Sequence, residues 1–192
     1  DLVRSRGLGD VYKRQDEQTN LKQFYFGTDS FEYVWEKLID RVYGIKDKYK
    51  FFPRTRWYLK GKVKENYALE PDSIMLHNGK IYVLDAKYYR YGITGNPMHL
   101  PESSSINKQT TYGEYIYTQE RFKREYGDDV PVYNAFLMPY NSAKNVFGFD
   151  SIYGNIGEAK GDWKVGDHNY ERVQGIVVDL SLIHISEPTR PY

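Results

Sequence analysis

Two acidic side chains and one ammonium, gathered by a short hairpin, are the groups in this sequence with the clearest capacity for chemistry. Asn78-Gly79 separates two apolar-rich segments, 68–76 and 80–88, and Asn-Gly between such segments signals a two-residue hairpin turn. With that turn His77 faces Lys80. Counting back along both strands puts Asp72 opposite Asp85 and Glu70 opposite Lys87. Side chains alternate across a strand, so these four share a face with Ile74, Leu76, Ile81 and Val83. Like charges directly opposed across a ladder are destabilising unless a cation occupies the gap. Two converging carboxylates make a hard oxygen site of the kind Mg²⁺ prefers, with water and a phosphate oxygen filling the remaining positions. Lys87 points to the same side, where an ammonium can hold or deprotonate an attacking water or stabilise charge on a phosphate. Ala86, between them, turns into packing, and its carbonyl could complete the metal shell. The inert alternative is a charged sheet rim.

The elements around this hairpin can be read from periodicity. Phe31, Val34, Trp35, Leu38, Ile39 and Val42 recur at helical spacing, with Asp29 or Ser30 as cap and Gly44 as stop. Residues 46–53 read as a basic aromatic loop and 56–60 as a short strand. A loop over 91–105 precedes a second helix over 105–126, ended by Gly127. On it Gln109 and Tyr112 share one face with Ile116. The apolar run 131–140 predicts a buried strand, and 145–152 and 172–179 are further strand candidates. Helix, hairpin, helix and strand in that order predict an α/β fold: a mixed sheet with helices packed on it.

The chain ends read differently from the middle. Residues 180–190, LSLIHISEPTR, and 5–15, SRGLGDVYKRQ, back-translate to opposite strands of one transposase adapter used in sequencing libraries. Segments 1–15 and 180–192 are therefore expected to be adapter-derived and are set aside, leaving 16–179 as a fragment of a reading frame. The whole chain carries 27 basic and 26 acidic residues. Without the ends, 22 and 23 remain, so net charge alone gives no argument for nucleic acid, although a local basic patch can still supply one. With no cysteine there are no disulfides or thiolate metal sites, which fits a reducing cytoplasm. No apolar run approaches the roughly 20 residues a membrane span requires. His77, His99 and His168 lack zinc-ligand spacing, and no phosphate-cradling P-loop is present.

Glu70-Pro71-Asp72, the hydrophobic hairpin, and Asp85-Ala86-Lys87-Tyr88 together resemble the PD-(D/E)xK nuclease superfamily, in its variant with Asp in third position. From the Phe31-Glu32 helix to Gln109 and Tyr112, the sequence is most similar to the LlaJI family of restriction endonucleases and their McrC-like relatives. The resemblance implies a restriction-endonuclease-like core and Mg²⁺-dependent hydrolysis of double-stranded DNA. Asp72 and Asp85 become metal ligands and Lys87 the residue that orients or activates water. Glu32 on the first helix, with Glu36 as the alternative, completes the metal site. Gln109 is implied near the metal or scissile phosphate, its spacing to Tyr112 being one residue shorter than in RecB-type cores. By residue type Arg54, Arg56, Trp57, Tyr88, Tyr89 and Arg90 can supply stacking and phosphate contacts to DNA, and the resemblance adds Tyr112 as a DNA contact near the scissile phosphate. The resemblance further implies the cleaving subunit of a restriction system, a McrB-like GTPase partner, and room for a homodimer. A repair or recombination nuclease on the same core, and a non-catalytic nucleic-acid-binding module, are the competing readings.

Overall fold

The computed structural model describes residues 31–144 and 146–180, together with the backbone of Tyr12–Lys13 (β1) and Phe24–Tyr25 (β2), which pair antiparallel. The expected caps Asp29 and Ser30, and all of the adapter-like ends except Tyr12–Lys13 and Leu180, lie outside the described residues. The first helix, Phe31–Tyr43 (α1), forms where the periodicity predicts it and buries Trp35, Leu38 and Ile39. Its stripe is narrower than expected, since Val34 and Val42 are exposed.

After a short 3₁₀ turn at Lys48–Phe51, Arg54–Leu59 (β3) and Lys62–Ala68 (β4) form a two-stranded ribbon of their own. The chain then builds one five-stranded mixed sheet from Ser73–His77 (β5), Lys80–Ala86 (β6), Val132–Tyr140 (β7), Tyr153–Lys160 (β8) and Arg172–Asp179 (β9), in the order β5-β6-β7-β9-β8. β6, β7 and β9 run parallel, and β5 and β8 are antiparallel edges. The central strand β7 is buried on both faces, as its nearly unbroken apolar run requires.

Each face of the sheet receives its own helix. On one side Trp35, Leu38 and Ile39 of α1 pack on Leu84, Ala86, Ala135 and Leu137. On the other, Tyr112 and Ile116 of Ser103–Thr118 (α3) and Phe122 of Glu120–Tyr126 (α4) cover Ile74, Ile81 and Val83. A single helix over 105–126 was expected; the chain instead breaks at Gln119, whose backbone is extended, and Gly127 ends α4 at φ +98°. The loop over 91–105 contains a helical turn, Tyr91–Thr94 (α2), lying on the end of β7. Gly92 makes that approach feasible: a Cβ there would sit 1.9 Å from the Pro139 carbonyl oxygen.

Two strand expectations need correction. The segment 68–76 is not one strand but the end of β4 and, beyond Pro71, the start of β5. Proline cannot donate to a ladder, so the chain turns there. The strand placed at 145–152 lies instead at Tyr153–Lys160; residues 146–152 form turns and bends. Its glycines concealed it. Gly154 is required because the Phe149 ring occupies the position of its Cβ, and Gly157, at φ +116°, accommodates a bulge against β9.

Candidate active site

The turn that sets the site has the backbone its sequence demands. Asn78 and Gly79 both have positive φ, +49° and +71°, and the register runs from His77↔Lys80 to Ser73↔Leu84. One step further the backbone ladder stops, and a side chain replaces it: the Asp72 carboxylate accepts the Ala86 amide at 2.7 Å. Lys48 fixes the same residue from behind, donating to the Asp72 carbonyl at 2.6 Å while paired with Asp40 at 2.8 Å.

Asp72 and Asp85 lie close enough for the charge of one to act on the other. Asp85 is 3% exposed and Asp72 half-buried. Burial first, then the neighbouring Asp85 charge, pushes the Asp72 carboxyl up to about 7, and Glu36 adds to the effect. Lys87 closes the group. Its ammonium pairs with Asp85 Oδ2 and lies 5.9 Å from the Phe136 ring centroid, while its amide donates to the Leu137 carbonyl at 2.9 Å. That carbonyl also accepts Trp35 Nε1 at 2.9 Å, so α1 and the end of β6 are held to one atom of β7. Ala86 packs against α1, away from the two acids.

The other expected residues are distributed as follows. Glu32 is exposed on the first turn of α1; it is Glu36, one turn on and half-buried, whose charge acts on Asp72. A cleft of about 250 Å³ beside Asp72 is lined by Glu36, Asp40, Lys48 and Glu70. Gln109 is buried and its Nε2 donates to the Val83 carbonyl at 2.7 Å, leaving Oε1 buried without a partner among the described residues. Tyr112 has no exposed surface, so its expected role as a DNA contact does not suit this arrangement: helical spacing puts it on the core face of α3. Its hydroxyl has no partner among the described residues, and burial, followed by the charges of Asp85 and Asp72, raises it above the usual phenol range. Arg90 is exposed at the rim of a second cleft, of about 320 Å³, with Tyr88, Tyr89, His99 and Ser105. Arg56 lies on the separate ribbon, held by Glu65 at 2.6 Å. Lys48 and Asp40 were not anticipated. The basic character of the 46–53 loop hinted at Lys48 alone.

Among the described residues no three His, Cys, Asp or Glu side chains gather as a metal-ligating group. The donor set these residues bring together is the two carboxylates of Asp72 and Asp85, with burial and then the Asp85 charge raising the Asp72 carboxyl. Such a set suits Mg²⁺, which commonly takes one or two protein carboxylates and keeps several waters.

A search of curated proteins finds no match to the chain. The family model for LlaJI restriction endonuclease matches residues 8–156, beginning inside the segment read as adapter-derived and reaching past the hairpin, α3 and β7 into β8. The five-stranded mixed sheet with helices on both faces agrees with a restriction-endonuclease-like core. With most of its length covered by that match, the chain belongs to the LlaJI restriction endonuclease family, nucleases whose substrate is DNA.

Proposed function

We propose that this protein is a Mg²⁺-dependent endonuclease of the PD-(D/E)xK type that hydrolyses phosphodiester bonds in double-stranded DNA as the cleaving subunit of a restriction system. The observation that carries the reading is the meeting of Asp72 and Asp85 at one end of the β5–β6 hairpin with the Lys87 ammonium on Asp85. Asp72 and Asp85 would hold the cation, with the Ala86 carbonyl as a further oxygen. When bound, the ion supplies neutralising charge at the phosphate and acidifies water. Lys87 stands where an ammonium can hold the attacking water and stabilise charge gathering on the phosphate. Water adds to phosphorus, the bond to the 3′ oxygen breaks, and that oxygen takes up a proton, leaving 5′-phosphate and 3′-hydroxyl ends. Gln109, bonded to Val83 two residues before Asp85, acts as a positioning residue for β6. Glu36 is better placed than Glu32 to add negative charge beside Asp72. With no P-loop in the sequence, a McrB-like GTPase subunit would supply any motor function, and the cleaving subunit would act as a homodimer when cutting both strands.

The test is nicking of supercoiled plasmid with and without Mg²⁺. Asp85→Ala and Lys87→Ala should each abolish Mg²⁺-dependent nicking while duplex binding persists. Unchanged nicking by either variant eliminates the proposal.

A further inference from the structure

The β3–β4 ribbon is the least explained part of the fold. Every residue of β3 is exposed, as is most of β4, and among the described residues the two strands pair only with each other. At its base the Leu69 amide donates to the Pro53 carbonyl at 2.8 Å. Six residues at about 3.4 Å each make an arm of roughly 20 Å. It carries large apolar side chains that no part of the described chain covers: Trp57 is 59% exposed, Tyr58 78% and Tyr67 97%.

Its charge is as uneven as its burial. The ribbon holds five basic side chains, Arg54, Arg56, Lys60, Lys62 and Lys64, against the single acid Glu65, in a chain whose formal net charge is only +1. Glu65 engages both arginines, at 3.0 and 2.6 Å. The three lysines have no ion-pair partner among the described residues. Register places Lys64 opposite Trp57 and Lys62 opposite Leu59, so one face presents two ammonium groups beside an indole and a leucine.

We infer that this ribbon is a DNA-binding arm that lies in the major groove of the substrate duplex, with Lys60, Lys62 and Lys64 against phosphates and Trp57 packed on the groove surface. The inference rests on the reading of the chain as a DNA nuclease and extends it to how the duplex is held. Two features select this occupant. A two-stranded ribbon with side chains fits a major groove about 12 Å wide and is too broad for a minor groove of about 6 Å. Protein interfaces are depleted in lysine, whereas DNA interfaces are strongly positive.

The experiment is fluorescence anisotropy of the full chain with a fluorescein-labelled duplex of mixed sequence, in EDTA and with Ca²⁺, over a salt series. Replacing three phosphate contacts with K60A/K62A/K64A should reduce the slope of log affinity against log salt by roughly 2.7 and weaken low-salt binding about tenfold or more. K60R/K62R/K64R should retain both. Since the three side chains lie outside the core, circular dichroism should be unchanged. If the alanine variant binds with wild-type affinity and slope while wild-type nicking stays dependent on Asp85, the arm is overturned and the nuclease reading stands. If it instead loses self-association in sedimentation with DNA binding intact, the ribbon is a contact between copies and the inference is overturned. Absence of duplex binding by the wild type in both conditions overturns this inference and the nuclease reading together.

Discussion

The Asp72 carboxylate accepts the Ala86 amide at 2.7 Å, one step beyond the last backbone pair of the β5–β6 ladder. A side chain thus takes over a backbone bond, and the residue that does so is half of the candidate metal site. The bond holds Asp72 against Asp85 although burial and like charge both oppose it.

That opposition makes the metal-free protein pH-sensitive. The folded state holds the Asp72 proton up to about 7, well above the ordinary carboxylate value of 3.8. Between those values the folded chain binds more protons than the unfolded chain, so stability is full below about 4 and is lost as pH rises through about 7. In EDTA the melting temperature should fall across this window, and Asp72→Asn should flatten the fall because a neutral amide can still accept from Ala86. Thermal unfolding of both proteins from mildly acidic to mildly alkaline pH checks this. Parallel curves for the two would rule out Asp72 as the source.

Lys87 holds Asp85 Oδ2, an oxygen that a cation at the proposed site would also need. Replacing Lys87 with Met leaves a carboxylate that is almost fully buried without its partner, a loss of about 3–5 kcal/mol in comparable buried pairs. Without divalent ions the variant should unfold at lower urea concentration than wild type. Added Mg²⁺ should stabilise it more than it stabilises wild type, even though nicking is abolished. Equal Mg²⁺ stabilisation of the two would show that ammonium and ion do not share that oxygen.

Gly92→Ala tests the seat of α2 on β7. The new methyl group would lie 1.9 Å from the Pro139 carbonyl oxygen, and backbone cannot yield as a flexible side chain does. Overpacking of this kind costs about 1–3 kcal/mol, so the urea midpoint should fall with little change in the denaturant slope. A midpoint equal to wild type would mean that α2 moves freely over the strand.

The hairpin and its charged end were legible because a two-residue turn leaves no freedom of register: one dipeptide fixed which residues oppose each other across the strands. Beyond Ser73 the counting no longer describes a backbone ladder, since Pro71 ends the strand and Asp72 reaches Ala86 through its side chain. The choice between Glu32 and Glu36 was hidden because both lie on one flank of a helix, and only the packing of Trp35 and Ile39 decides which turn approaches the hairpin. Tyr112 carried two readings, a place near the metal or scissile phosphate from likeness to known nucleases and a core place from its apolar stripe; it is buried on the core face of α3. The β3–β4 ribbon escaped as a pair because it has no buried face, so its sequence lacks the alternation that usually reveals a strand.

β5 forms the margin of the sheet, and β6 lies between two partners. Asp85 is thereby embedded in a strand paired on both sides, while Asp72 immediately precedes a five-residue strand with a neighbour on one side only. The two acids are therefore unequal in mechanical footing, one an anvil and the other a jaw. Outward fraying of the short margin would separate them and leave the parallel strands standing.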